Sequence, residues 1–323
     1  MKRDRGRDTG DRKTIERGLR CGQCLIARVS PDYQLAQQGI VKWRDTVAFI
    51  DVAVEAKTRA LRWSPLAHHA GAGVEAGARV IVADLNGKAA EEQASILNET
   101  IHIPNDQGSR IRAIGLLTDV TDRDSVIDLV ETTLHHFKRL DILVNSAALD
   151  PKFDPENIGK HTNSFEDLPL TLWRQALDVN LTGMFLCCQA AARPMLDRGR
   201  GTIINICSIY GVVGPDQRLY QEAGGPTQYK PVHYSVSKAG VLGLTRYLAA
   251  YYAGKNIRVN ALTPGGVYNH HSDSFVQSYA NRTVLGRMAK KDEMNGALLY
   301  LASEASSYMT GANLVVDGGW TTW

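Results

Sequence analysis

Short apolar runs alternate with helix-length amphipathic segments over about three quarters of this 323-residue chain. The apolar runs have the composition of buried parallel strands, and they lie at residues 78–83, 111–117, 140–145, 202–207, 257–262 and 313–316. Helices are predicted between them, at residues 87–98, 123–136, 172–196, 234–252 and 293–303. Strands that are joined by right-handed helical crossovers form a parallel sheet with both faces covered. The sequence therefore predicts a single α/β domain with a doubly wound parallel sheet.

The first 72 residues have a different character. Residues 1–20 mix Arg, Lys and Asp with few apolar side chains, which predicts disorder for this stretch alone. Residues 47–50 (VAFI) have the composition of a strand, and residues 51–66 have weak helical periodicity. We therefore divide the chain into an atypical, partly disordered N-terminal segment (residues 1–72) and one α/β domain (residues 73–323).

Composition excludes several classes of protein. The formal net charge of +3 is too small to indicate nucleic-acid binding. The sequence has no apolar run long enough to span a membrane, and no apolar stretch follows its basic N-terminus as a secretory signal requires. We therefore expect a cytoplasmic protein that binds a small molecule.

The five cysteines do not indicate a metal site. Cys21 and Cys24 form an isolated CxxC pair, and no second pair of ligands follows at a suitable spacing. Cys187 and Cys188 are adjacent on a predicted helix, so we do not expect both to face one core. Cys207 lies in an apolar run, and we interpret it as part of the strand core.

The most informative local feature is a tyrosine and a lysine four positions apart, Tyr234 and Lys238, on one face of a predicted helix. Tyrosine alone titrates near pH 10, and a neighbouring ammonium favours the phenolate. Ser208 follows a strand at the sheet edge where doubly wound folds bind ligands. Asn180 lies within a predicted helix, where asparagine is unfavourable unless its amide has a role; a helix bend or a water site explains it equally well.

These residues belong to a series of motifs that resembles the short-chain dehydrogenase/reductase family from about residue 74 onward. The series contains Asp119 and Val120, residues 145–148 (NSAA), Asn180, Ser208, Tyr234 with Lys238, Pro264 and Gly265, and residues 316–319 (VDGG). The resemblance implies a Rossmann-like fold and an oxidoreductase that interconverts an alcohol and a ketone by hydride transfer. It implies that Tyr234 is the general acid/base and Ser208 the hydroxyl that orients the carbonyl. Lys238 would lower the tyrosine pKa and hold the ribose, and Asn180 would anchor a proton-relay water.

The expected cofactor is NAD rather than NADP. Asp84 ends a strand, where a carboxylate accepts hydrogen bonds from the ribose hydroxyls and repels a 2′-phosphate; a role in capping the next helix is compatible with this. By resemblance, the cofactor contacts are Asp119 and Val120 at the adenine, Asn145 and Ala147 at a ribose, Tyr234 and Lys238 at the nicotinamide ribose, Val267 near the carboxamide, and Pro264 and Gly265. The resemblance also implies a homodimer or homotetramer, with the helices around Asn180 and Tyr234 at the interface.

The glycine-rich phosphate loop of the family is missing. No glycine occurs between Gly39 and Gly71, and Asp51 follows the candidate first strand where phosphate would bind. Gly71, Gly73 and Gly77 directly precede the next strand, so we interpret them as the turn that ends a helix. A reading-frame error upstream of Gly73 would explain the atypical segment. The alternative is a non-catalytic binding or scaffold protein that has lost its cofactor.

Two further departures from the family pattern concern the catalytic half. Ser146 replaces a second Asn of the family motif. Tyr234 follows Ser208 by 26 positions, about twice the family's usual spacing. The additional residues are polar, and they include Asp216, Gln217, Arg218, Glu222 and Lys230. We expect them to form a polar lid over a hydroxylated or charged substrate, such as a sugar derivative or polyol.

Overall fold

The computed structural model describes residues 46–50, 65–101, 111–150, 163–221 and 228–323. Several features singled out in the sequence lie outside these ranges: the disorder predicted for residues 1–20, the Cys21 and Cys24 pair, Asp51, and Glu222 of the expected lid.

One parallel sheet organises the described part of the chain. It has seven strands in the order β3-β2-β1-β4-β5-β6-β7. The strands are Thr46–Ile50 (β1), Arg79–Asp84 (β2), Ala113–Leu117 (β3), Ile142–Asn145 (β4), Gly201–Ile206 (β5), Ile257–Pro264 (β6) and Asn313–Val316 (β7). The strand order reverses direction beside β1, so the predicted doubly wound sheet is confirmed.

The VAFI run is a strand, as its composition predicts. β1 pairs with β2 on one side and with β4 on the other, and Ala48 is in register with both Ile81 and Leu143. The division of the chain at residue 72 stays a prediction, although the central strand of the sheet precedes that position.

Helices cover the sheet. They are Pro65–Glu75 (α1), Gly87–Thr100 (α2), Arg123–Phe137 (α3), Leu170–Leu177 (α4), Met184–Arg198 (α5), Val232–Tyr251 (α6), Asp273–Ala280 (α7) and Asn295–Ala302 (α8). α1 and α7 were not predicted. Gly71 and Gly73 lie inside α1, and of the three glycines only Gly77, with a φ of 92°, lies in the turn before β2. The expectation of a turn is therefore right for Gly77 alone.

The helix predicted for residues 172–196 is interrupted. A π-helical turn, Asp178–Gly183, separates α4 from α5 and contains Asn180. Such turns are rare and occur frequently at functional sites. The interruption places Asn180 on the buried side of the helix, where its side chain is 0 % exposed.

The core lies on both faces of the sheet. Ile81, Leu143, Ile203 and Val259 come from four strands and are completely buried. Burial of each such side chain stabilises the fold by about 1.5–3 kcal/mol. These contacts fix the strand ends that carry the candidate site.

Cys187 and Cys188 are both buried, so the expectation that they do not share a core is wrong. The reason is that α5 packs between the sheet and α3, which leaves it two buried sides. Burial raises the pKa of the Cys188 thiol to about 12. Cys207 is buried beside the sheet, as expected for a strand-core residue.

The described residues lack two kinds of feature. Their helices include none with the length and apolar character that crossing a bilayer demands. Nor do their His, Cys, Asp and Glu side chains gather into a group of three that could hold a metal ion.

Candidate active site

The candidate catalytic residues meet at the carboxyl edge of β4 and β5. Ser208 follows β5 in an extended conformation, and Tyr234 and Lys238 lie on α6, which packs against β5 and β6. Asn180 approaches from the π turn, which contacts α6. The structure therefore brings together all four residues that the family resemblance selected.

Tyr234 is partly buried, and its side chain is hydrogen-bonded to that of Ser208. Burial raises the pKa of Tyr234, and the negative charge of Asp150 raises it further. The hydrogen bond from Ser208 acts in the opposite direction but does not offset burial. Tyr234 is therefore a neutral phenol at neutral pH, which is the form that donates a proton.

Lys238, which we expect to lower this pKa, lies next to the ring and is anchored at the end of β5. The Lys238 Nζ atom lies 5.9 Å from the centroid of the Tyr234 ring. It donates a hydrogen bond of 3.0 Å to the carbonyl oxygen of Ile206. The ammonium is thus held at the strand end next to the ring, and its lowering of the tyrosine pKa stays a prediction.

Asn180 connects three elements through its amide. Its Oδ1 atom accepts a hydrogen bond of 2.6 Å from the backbone N–H of Leu149, and its Nδ2 atom donates to the Leu149 carbonyl at 3.2 Å. Nδ2 also donates to the Ser237 Oγ atom at 3.0 Å, and Ser237 in turn donates to the backbone carbonyl of Tyr234. The side chain of Asn180 thus fixes the loop after β4 against the catalytic helix.

Sequence reasoning missed Ser237. It lies between Tyr234 and Lys238 and is completely buried. A serine within a helix looks unremarkable in sequence, and only the contact with Asn180 reveals that it positions the helix.

Asp84 lies where the sequence places it, at the end of β2, and it is 1 % exposed. Its Oδ1 atom accepts a hydrogen bond of 2.6 Å from the backbone N–H of Asn86. Asn86, rather than Asp84, caps α2, because its side chain accepts from Ala89 N. Asp84 therefore shapes the turn between β2 and α2.

The other candidate adenosine contacts lie along the same edge. The Asp119 carboxylate accepts from the backbone and the hydroxyl of Thr121, and Val120 is buried. Asn145 ends β4, and its Nδ2 atom donates to Asn205 Oδ1 at 2.9 Å and to Cys188 Sγ at 3.2 Å. The amide N–H groups of Asn145 are therefore used inside the protein, and a ribose would be contacted by other atoms of this strand end.

The remaining candidate cofactor contacts line the end of β6. Gly265 donates a backbone hydrogen bond to Val316 O, and a Cβ atom on Gly265 would lie 2.8 Å from the Cα atom of Asp317. Val267 forms an isolated parallel bridge with Ala289. A small cavity beside Gly265 is lined by Gly266, Tyr279, Leu285, Arg287, Ala289, Glu293, Met294, Val316, Asp317 and Gly318. Only a glycine permits this close approach of the two strand ends.

The residues between Ser208 and Tyr234, residues 209–233, are called here the covering segment. Its described part contains two short 3₁₀ turns, Ile209–Gly211 and Gln217–Tyr220. Apolar and aromatic side chains of this segment pack with α7 and with Trp320, in a cluster of Ile209, Tyr210, Leu219, Tyr279, Met288 and Trp320. The described part of the segment is thus a packed layer beside Tyr234, and it is more apolar than the polar lid that the sequence suggests.

The polar residues of the covering segment pair with one another and with neighbouring elements. Asp216 forms ion pairs with Arg218 and with Arg282. Lys230 is 6 % exposed and forms an ion pair of 2.6 Å with Asp150, a residue that sequence reasoning did not select. These charges therefore hold the segment in place next to the catalytic residues.

Comparison with known proteins places this geometry in a family. A short-chain dehydrogenase family model, described as enoyl-(acyl carrier protein) reductase, matches residues 67–321. The chain is 34% identical over 256 residues to cis-4-hydroxycyclohexanecarboxylate dehydrogenase of Sinomonas cyclohexanicum. This alignment covers 76% of this chain and 88% of the relative. It is 35% identical over 250 residues to D-threitol dehydrogenase of Mycolicibacterium smegmatis, with 76% and 84% covered.

Solved structures that superimpose on this chain are also short-chain dehydrogenases. A short-chain type dehydrogenase/reductase from Mycobacterium marinum superimposes with a TM-score of 0.70 at 30% identity, covering 88% of this chain and 98% of the other. A short-chain dehydrogenase from Leptospira borgpetersenii with bound NAD+ has a TM-score of 0.67 at 29% identity, covering 87% and 94%. This chain belongs to the short-chain dehydrogenase/reductase family, as a short-chain alcohol dehydrogenase or ketoreductase.

Proposed function

We propose that this protein interconverts a secondary alcohol and a ketone with NAD, and that Tyr234 carries the proton. The observation that supports this most directly is the neutral Tyr234 phenol, hydrogen-bonded to Ser208 at the carboxyl edge of the sheet. Two hydroxyl groups side by side at that edge bind one substrate oxygen, and one of them can exchange a proton with it.

In the reduction direction, Ser208 orients the carbonyl by donating a hydrogen bond to its oxygen. The Tyr234 O–H bond then breaks and the proton passes to the same oxygen, which leaves a phenolate. Burial keeps Tyr234 protonated beforehand, so the donor is in its reactive form. Lys238 and Asn180 position the elements that carry Ser208 and Tyr234. Lys238 bonds the end of β5, and Asn180 bonds α6.

The residues at the sheet edge fit a nicotinamide dinucleotide. Asp84 lies at the end of β2, beside the position where the strand order reverses, and a small cavity opens beside Gly265 at the end of β6. A bound nicotinamide supplies the hydride. Lys238 and Val267 would hold its end of the cofactor, and Asp84, Asp119, Val120 and Ala147 the adenosine end.

Asp84 supports NAD over NADP, because its carboxylate repels a 2′-phosphate. We expect Asp84→Asn to raise the ratio of kcat/KM for NADP+ to that for NAD+ by about tenfold or more, which corresponds to about 1.4 kcal/mol. The amide keeps an acceptor for Asn86 N and removes the charge. Steady-state kinetics with both cofactors measure the ratio.

Asp128→Asn, an exposed change on α3, is the matched control and should leave this ratio unchanged. If the Asp84→Asn enzyme keeps the wild-type ratio, Asp84 does not determine the choice between NAD and NADP.

A polyol or sugar derivative is the proposed substrate class. The D-threitol dehydrogenase relative acts, by its name, on a polyol, and charged side chains of the covering segment lie near Tyr234. The test is oxidation of secondary alcohols, vicinal diols and polyols by the full chain with NAD+, followed by the absorbance of the reduced nicotinamide. Turnover of polyols above simple secondary alcohols is expected. Absence of saturable NADH binding in a parallel fluorescence titration would overturn the proposed function.

A further inference from the structure

Lys230 of the covering segment lies directly on the ring of Tyr234. Its Nζ atom is 3.9 Å from the ring centroid, closer than the 5.9 Å of Lys238. An ammonium over the face of an aromatic ring is attracted by the ring's negative π face. Of the two lysines, Lys230 is therefore the one in contact with the ring of the candidate proton carrier.

The fold holds Lys230 both at its ammonium group and at its backbone. Both carboxylate oxygens of Asp150 accept hydrogen bonds from Lys230 Nζ, at 2.7 and 2.6 Å. The Gln217 side chain accepts from Lys230 N at 2.8 Å and donates to Lys230 O at 3.0 Å, which fixes the backbone. A buried lysine needs such a partner, because removing an ammonium from water is costly without one.

We propose that Lys230 is a positioning residue for the reaction. Its ammonium is held on the Tyr234 ring by Asp150, while Gln217 fixes its backbone, and it stabilises the negative charge that develops on the tyrosine oxygen as the proton leaves. This proposal rests on the proposed function of Tyr234. It gives the additional length of the covering segment a chemical role, since that segment carries Lys230 to the ring.

Several other groups act on Tyr234, and the test has to separate Lys230 from them. Asp150 opposes the ammonium, because its negative charge raises the pKa of Tyr234. The titratable neighbours that contact the ring or interact with it electrostatically are Asp150, Cys207, Tyr210, Tyr220, Lys230 and Lys238, and His233 is adjacent in the chain. Each of these stays unchanged in the comparisons below, apart from the residue that is substituted.

The first experiment needs neither substrate nor cofactor. A fluorinated tyrosine is placed at position 234 in the full chain, because its lower intrinsic pKa brings the titration into the pH range of the folded protein. Its ¹⁹F resonance is followed against pH in Asp150→Asn and in the double variant Lys230→Met with Asp150→Asn. This pair differs only in the ammonium and leaves no unpaired buried carboxylate.

The titration midpoint is expected to be about one to three pH units higher in the double variant than in Asp150→Asn, as for removal of an opposite charge at this distance. Lys230→Arg keeps the charge and should stay near the wild-type midpoint. Lys255→Met, an exposed change, should leave the midpoint unmoved. If the double variant does not fold, Lys230→Gln in the Asp150→Asn background replaces it and gives the same comparison, with an upward shift expected.

Equal midpoints in the presence and absence of the ammonium would overturn the proposal, and Lys230 would then only fasten the covering segment to the loop after β4. A second readout is the pH dependence of kcat/KM for alcohol oxidation, which should move upward by the same shift. A ¹⁹F shift in a chain that oxidises no alcohol would refute the proposed function while leaving the effect of Lys230 on Tyr234 established.

Discussion

At the scale of single residues, the proposed proton transfer requires one group, the hydroxyl of Tyr234. We expect Tyr234→Phe to lower kcat/KM by about 10²- to 10⁴-fold, the usual contribution of a positioned acid or base. The ring stays in place, so the far-UV circular dichroism and the unfolding midpoint should match the wild type. Tyr247→Phe, an exposed tyrosine on the same helix, is the control. Full turnover by Tyr234→Phe would contradict the assignment.

His233, next to Tyr234, makes the stability of the fold depend on pH. It is completely buried, and neither ring nitrogen has a hydrogen-bond partner among the described residues. Burial lowers the pKa of His233 from 6.5 to about 4. The unfolded chain therefore takes up a proton near pH 6.5 while the folded chain resists protonation until about pH 4, so acid favours unfolding over this window.

We expect the free energy of unfolding to fall by about 3 kcal/mol between pH 7 and pH 4 through this residue. Urea unfolding at several pH values measures the dependence, and His233→Gln should flatten it. His136→Gln, on the exposed side of α3, should leave it unaltered. An identical slope in His233→Gln and the wild type would show that other groups are responsible.

At the scale of elements, the π turn determines where the catalytic helix sits. Asn180 is completely buried there, and its amide forms hydrogen bonds with the backbone of Leu149 and with the hydroxyl of Ser237. Asn180→Ala leaves these groups without partners, at about 1–3 kcal/mol for each buried polar group. We expect a loss of at least about 2 kcal/mol in the free energy of unfolding, measured in urea.

The matched control for that prediction is Gln189→Ala on the exposed face of α5, which should stay within about 0.5 kcal/mol of the wild type. An Asn180→Ala protein as stable as the wild type would mean that water replaces the amide.

Apolar runs predicted all seven strands of the described sheet, because central parallel strands are buried on both faces. Helical periodicity predicted most helices, because each helix buries one face against the sheet. It could not predict the π turn, since the sequence around Asn180 keeps its helical pattern and the extra residue is accommodated in the backbone. Nor could it predict α7, whose aromatic residues pack with the covering segment rather than with the sheet.

Within the site, the four family positions were recognised from their order along the chain. Lys230 and Asp150 were not recognised as partners, because 80 residues separate them and no local pattern links them. Contacts of this kind depend on the path of the covering segment, which only the folded structure gives.

For the whole molecule, assembly is the remaining proposal from the family resemblance. α5 and α6 leave large apolar side chains exposed, Phe185 on α5 and Val236, Tyr247 and Tyr251 on α6. Exposed apolar groups of this size indicate an interface, and we expect a homodimer or homotetramer in solution. Light scattering after size-exclusion chromatography should show a lower mass when both Tyr247 and Tyr251 are replaced by Glu.

Tyr308→Glu, a fully exposed change outside these helices, should keep the wild-type mass. A wild-type protein that elutes as a monomer would rule out this assembly.

The central place of β1 has a consequence for how the chain is made. During synthesis β2 is the first partner of β1 to leave the ribosome, and β4 follows only after α2, β3 and α3. Until then one edge of β1 has open backbone N–H and C=O groups, which is a template for wrong pairing. The nascent chain therefore exposes this strand edge until β4 has left the ribosome, and protection by chaperones is useful over that interval.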